Sequence, residues 1–209
     1  MLDRVLAAKS FCSLLGFYLS TCISFVNGVI HTILVYLLTL CFEGNRIATM
    51  LTAKFPLFVL DSLRSAFNVG SVFRTAESIS PSGVVLTGIS ARPGGRKVGR
   101  TSRGTHGQVP WRWFPVATTA VDYIRKRRVV IAVENTSDAV PLHVADFPLD
   151  AAFVLGNEAD GISEEILEMC QLKIIIPQSG SRHCINVSST AAMIAWEIQR
   201  RRLTGEKYV

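Results

Sequence analysis

Three short polar clusters in this 209-residue chain hold residue types that can do chemistry. Leu60 to Ser78 (LDSLRSAFNVGSVFRTAES) places Asn68 at a turn signal, Asn68-Val69-Gly70, and Arg74 a turn into the helical pattern that follows. Leu155 to Ser163 (LGNEADGIS) holds Glu158 as the lone glutamate between two glycines, with Asp160 two residues on. Lys173 to Arg202 runs from an apolar stretch through Cys184-Ile185-Asn186-Val187-Ser188-Ser189 into a helix and three arginines. A guanidinium is a permanently charged fork for phosphate or carboxylate, and amides and a carboxylate can fix it and a ligand by hydrogen bonds. Gly70 permits a close backbone approach. Each residue also has a purely structural explanation: Asn68 as a turn residue, Arg74 as a surface ion pair, Glu158 as a loop charge, Asn186 as a helix cap.

The elements that must position these residues read as an α/β alternation. Strands are predicted at 55–60, 84–88, 129–133, 151–155 and 173–176. Helices are predicted at 69–79, 121–128, 162–170 with Ser163 as N-cap, and from Ser188 onward with Ser188 or Ser189 as cap. Residues 91–108 show no periodicity and read as a loop with five glycines and five Arg or Lys residues. The strands at 129–133, 151–155 and 173–176 are near-continuous apolar runs, as strands covered on both faces are. Each runs into a polar loop: Glu134 to Ser137, Gly156 to Gly161, Gln178 to Ser188. Three such loops at one edge of a parallel sheet make a ligand crevice. No G-x-G-x-x-G follows the first strand and no P-loop lysine is present, which excludes the common dinucleotide and nucleoside triphosphate sites.

The chain is long enough and, at 49% hydrophobic, apolar enough for one globular core plus an extension. Its formal charge of +6 points to an acidic partner. Residues 1–50 contribute three basic and two acidic side chains, leaving +5 on the rest. Cys12, Cys22, Cys41, Cys170 and Cys184 form no C-x-x-C and have no His at ligand spacing, so neither a metal site nor a disulfide framework is expected, and a reducing compartment (cytoplasm or organelle matrix) fits best. Residues 10–42 contain no Asp, Glu, Lys or Arg. That run is long enough to span a bilayer yet studded with Ser, Thr, Asn and His, so a membrane anchor, a targeting extension and an inert segment all stand open. The expected organisation is a hydrophobic extension over 1–50 and an α/β domain over 51–209.

The order and spacing of the three clusters resemble the SpoU/TrmH family of RNA ribose 2'-O-methyltransferases, of the knotted SPOUT class. The first motif is seen as NVGSVFRTA, the second as LGNEADGIS, the third as IPQSG followed by INVSSTAAM, and GRTSRGTHGQVPWRWF resembles the segment between the first two. The likeness covers about residues 55–203. It implies a parallel sheet with helices on both faces, a C-terminal trefoil knot and a homodimer. It implies S-adenosylmethionine (AdoMet), with no metal, contacted at Val133, Glu134, Leu155, Gly156, Ile176, Ile185 and Asn186. By motif position Arg74 is the catalytic arginine, with Asn68, Glu158 and Asn186 beside it in the catalytic set. The third motif of the family usually reads S-L-N, and here Cys184 replaces the serine.

RNA, tRNA or rRNA, is the expected partner. Arg92, Arg96, Lys97, Arg100 and Arg103 form an acid-free basic segment, and Arg125 to Arg128 add a second cluster. Trp111 and Trp113 are assigned to the core. The competing expectation, motivated by Cys184, is a catalytically weak or inactive RNA-binding homologue of the same fold.

Overall fold

The structure is a computed structural model and describes residues 50, 54–180 and 185–205. The hydrophobic run at 10–42 and Cys184 lie outside the described residues. Seven parallel strands form one sheet: β1 (Leu57–Asp61), β2 (Gly83–Thr87), β3 (Trp111–Phe114), β4 (Val130–Val133), β5 (Val140–Pro141), β6 (Ala152–Leu155) and β7 (Leu172–Ile175). Their order is β3-β2-β1-β6-β4-β7-β5. The helices are α1 (Ala66–Ser78), α2 (Arg96–Ser102), α3 (Ala117–Arg125), α4 (Glu164–Met169) and α5 (Val187–Thr204), with a 3-10 turn at Thr105–Gly107.

The order reverses direction between β1 and β6. From β1 the chain moves outward through α1 to β2 and on to β3, then α3 carries it back across to β4. With right-handed crossovers, opposite directions of travel put the helices on opposite faces. The packing agrees: α1 lies against α2 and α5, while α3 lies against α4. β1, β2 and β6 are buried along their whole length, as the apolar runs foretold. Phe58, Phe147 and Phe153 fill the centre, the last two meeting edge to face with centroids 5.3 Å apart.

Several expectations are corrected. Residues 91–108 contain a helix, because Val98 and Ser102, four apart, both bury while Arg96, Lys97 and Arg100 face out. β3 and β5 went unpredicted. Trp111, on the edge strand β3, is 37% exposed, whereas Trp113 packs against the core and donates Nε1–H to the Gly88 carbonyl. α3 ends at Arg125, and Arg128 turns inward to donate to the carbonyls of Phe55 (2.6 Å) and Asp150 (2.9 Å). It therefore ties β4 to the start of β1 and does not belong to a free basic cluster. At the far end of the fold, Arg201 is buried on Glu197 (2.7 Å), on the Ala145 carbonyl (2.7 Å) and over the Phe147 ring, anchoring α5 to the segment after β5.

Candidate functional site

The loops after β4, β6 and β7 converge at the C-terminal edge of the sheet around a cavity of about 420 Å³. Val133, Glu134, Leu155, Gly156, Ile176, Ile185 and Asn186, the seven positions expected to meet a cofactor, all line it. Ile174, Val187 and Thr190 complete the wall from β7 and α5, and Asn135, Asn157 and Gln178 add polar groups. Among the described residues the lining contains two carboxylates, Glu134 and Glu158, and no lysine or arginine.

The loop Gly156–Gly161 is folded back on itself and pinned from three sides. Asn157 and Gly161 exchange both backbone hydrogen bonds (3.1 and 2.9 Å). The Asn157 side chain accepts from the Ala159 N–H (2.8 Å) and donates to the Ser62 carbonyl beyond β1 (2.6 Å). Glu134 accepts from the N–H groups of Asn135 (3.0 Å) and Ile162 (3.1 Å), so this predicted cofactor contact also braces the loop. Gly156 is required for space: a Cβ there would lie 2.6 Å from both the Gly161 carbonyl oxygen and the Ile162 nitrogen. Gly161 is required for conformation, at φ +69°. Asn157 escaped sequence reasoning because a Gly-Asn pair reads as an ordinary turn; its partner Ser62 is 95 residues away.

Glu158 faces α1. Its carboxylate accepts from the N–H groups of Arg64 (2.8 Å) and Ser65 (3.1 Å) and from Asn68 Nδ2 (2.8 Å). Asn186 Nδ2 then donates to Asn68 Oδ1 (3.3 Å), and Asn186 Oδ1 accepts from the Ser188 N–H (2.9 Å) and hydroxyl (2.7 Å). A continuous chain of polar contacts therefore joins the loop after β6 to the starts of α1 and α5. Partial burial pushes the Glu158 carboxyl up, but the bonds from Arg64, Asn68 and Ser65 outweigh it and hold the group below the usual carboxylate range. Glu158 is an ionised acceptor at neutral pH.

Placement differs from expectation at three points, while Gly70 is as expected. Asn68 lies within the first turn of α1, whose N-cap is Ser65, rather than at a turn. Asn186, not Ser188 or Ser189, caps α5. Gly70 makes the close backbone approach expected of it, to α2, where a Cβ would lie 2.7 Å from Thr101 Cβ. Arg74 lies two turns along α1, exposed, outside the cavity lining, and makes no hydrogen bond or ion pair among the described residues. At 100° per residue it is about 120° around the helix from Asn68, so the two do not share a face.

Of the basic set, Arg96, Lys97 and Arg100 lie on α2 and Arg103 caps its end in a left-handed conformation (φ 51°), while Arg92 sits over the Trp113 ring at 4.4 Å. All five are exposed, and α2 packs directly on α1. No cluster of metal-ligating side chains occurs among the described residues.

The model of the SpoU rRNA Methylase family matches residues 56–196. The chain is 27% identical over 152 residues to the 23S rRNA (uridine(2479)-2'-O)-methyltransferase of Streptomyces viridochromogenes, which covers 70% of this chain and 53% of that one. It thus spans about half the length of this relative. The crystal structure of the SpoU methyltransferase AviRb from Streptomyces viridochromogenes with AdoMet is similar at a TM-score of 0.67 and 26% identity, over 73% of this chain and 62% of that chain. An RNA 2'-O ribose methyltransferase is similar at a TM-score of 0.64 and 25% identity, over 72% and 57%. With its motifs assembled at one sheet edge and two thirds of its length matched, the chain belongs to the SpoU rRNA methylase family.

Proposed function

We propose that the chain is an AdoMet-dependent methyltransferase that modifies a ribose 2'-hydroxyl in tRNA or rRNA, working as a homodimer with the C-terminal knot of its class. The observation that carries this is the cavity at the ends of β4, β6 and β7, joined through Glu158–Asn68–Asn186 to the helix bearing Arg74. Its size falls in the range of small-molecule sites, about 300–1,000 Å³. Its chemistry fits AdoMet: apolar walls from Leu155, Ile176, Ile185 and Val187, polar groups at the rim, and two carboxylates with no cation among the described lining residues, suited to a ligand carrying a sulfonium.

When bound, AdoMet supplies a methyl group activated by positive sulfur. The protein has to hold a ribose hydroxyl in line with it and let the hydroxyl proton go. Glu158 makes a poor base, since its carboxylate is committed to three donors and they lower its proton affinity. A guanidinium is a permanent cation rather than a base. The role of Arg74 is a clamp on a phosphate beside the target ribose, which fixes the hydroxyl, and the hydroxyl proton passes to that phosphate or to water. The basic face of α2 holds the flanking backbone.

The test is Arg74→Ala in the full chain, assayed with methyl-labelled AdoMet and RNA from cells lacking the protein. AdoMet affinity should stay within about twofold while methylation falls by about 100-fold or more, the scale of a lost positioning contact. Retained methylation at full rate would remove Arg74 from the mechanism. A wild-type chain that binds no AdoMet would remove the enzyme.

A further inference from the structure

Phe67 is 55% exposed in the first turn of α1, immediately before Asn68. An isolated exposed apolar residue is ordinary. Its position is what matters. The buried face of α1 is Val69, Gly70, Val72, Phe73 and Ala76. The opposite stripe runs Phe67, Ser71, Arg74 and Ser78, and it is polar except at the end nearest the cavity. Phe67 and Arg74 are seven residues apart, so they fall within about 20° of each other around the helix and about 10 Å apart along it. The Asn68 side chain, one residue on, is bonded to Glu158 and Asn186, and both of those line the cavity. Beside the same helix, α2 presents Arg96, Arg100 and Arg103 to solvent.

We infer that Phe67 is a stacking platform for an unpaired base at or next to the nucleotide whose ribose is modified. One stripe of α1 would then grip the RNA at two points, phosphate on Arg74 and base on Phe67. This rests on the methyltransferase reading and names its substrate class: RNA in which the target region is single-stranded, a loop or bulge whose base can be splayed onto an aromatic ring. A ring with its face free in water accepts any base, so Phe67 contributes affinity and register with little base identity. A base paired within a duplex keeps its faces against its neighbours and could not reach it.

The experiment compares wild type with Phe67→Ala, Phe67→Leu and Phe67→Trp in the full chain. It uses methyl-labelled AdoMet and RNA from cells lacking the protein, with AdoMet binding and sedimentation measured in parallel. Phe67→Ala should raise the KM for RNA by about 5- to 100-fold, the range of one lost stacking contact. AdoMet affinity and oligomeric state should not change. Phe67→Trp should return KM to within about threefold of wild type, and Phe67→Leu, apolar but without a π face, should not. Equal KM for Ala and wild type overturns the inference while leaving the methyltransferase intact. So does full rescue by Leu, or an Ala variant whose defect follows a change in sedimentation, which would mark Phe67 as a contact between copies of the chain. A wild-type chain that methylates no RNA overturns the function first and the platform with it.

Discussion

Two hollows meet at the exit of β7, and Ile176 lines both. One is the 420 Å³ cavity closed by the loops after β4 and β6; the other, about 570 Å³, is a groove along α5 lined by Leu142, Pro177, Ala192, Met193 and Trp196. The larger one is the worse small-molecule site. It has few polar groups to orient a ligand, and Met193 and Trp196 stand 42% and 64% exposed beside it. The smaller one is bounded by backbone held rigid through Glu134, Asn157 and Glu158, the condition for fixing a reacting group. Volume alone would choose wrongly. Preorganised polar walls mark a chemical site, and an exposed aromatic on an apolar face marks a surface for another protein, here the proposed second copy.

Gly156→Ala should separate the two hollows most sharply. The added methyl overlaps the Gly161–Ile162 backbone, which has no flexible side chain to give way. AdoMet binding should vanish in calorimetry and unfolding free energy should fall by about 3 kcal/mol or more, at the upper end of overpacking effects. Sedimentation of the folded fraction should be unchanged. If AdoMet still binds with native affinity, the cavity is not its site.

Trp196→Ala should do the reverse. Truncating an exposed aromatic at the centre of an apolar face costs about 2 kcal/mol of association where that face is an interface, roughly 30-fold in the dissociation constant. AdoMet affinity should stay within about threefold. An unchanged dimer would show that this face is not the contact, and a lost AdoMet site would show that the two hollows act as one through Ile176.

The cavity was more legible in the sequence than the surfaces around it, for a physical reason. β1, β2, β6 and nearly all of β4 are buried, so their apolar runs are continuous, and their polar exits mark one edge; β7 buries only Ile174 yet keeps an apolar run of its own. β3 alternates Trp111, Arg112, Trp113 and Phe114 on the sheet margin, and β5 is two residues on the other margin, so neither carries that signal. α2 hides because a seven-residue basic helix buries only Val98 and Ser102; its existence depends on Gly70 of α1, which no local pattern reveals. The motif positions grouped Asn68, Glu158 and Asn186, and hydrogen bonds join the three, but local pattern does not show which atoms meet. Glu158 reads as a free loop charge until the pairing of β1 with β6 brings it to the start of α1. Arg74 reads as a neighbour of Asn68 until the helix is seen to begin at Ala66 and turn them apart.

Glu158→Gln is the smallest change and tests the polar hollow through its charge. One of the two amide positions must confront a donor, either the Arg64 N–H or the Ser65 N–H with Asn68 Nδ2. The loss should be about 1 kcal/mol of stability and a several-fold weakening of AdoMet. The pH dependence is more telling. Because the folded-state pKa of Glu158 is depressed, its contribution is complete above the ordinary carboxylate range and is lost as pH falls through the lowered value. Wild-type AdoMet affinity should therefore decline in acid, and Glu158→Gln, with no proton to gain there, should flatten that decline. The groove carries its own carboxylate, Glu197, held down first by its bond from Arg200 and then by Arg201. Acid should thus weaken self-association too, and Glu158→Gln should leave that second decline untouched. If one substitution flattened both curves, the polar chain through Asn68 and Asn186 would extend along α5 into the groove, and the two hollows would be parts of a single device.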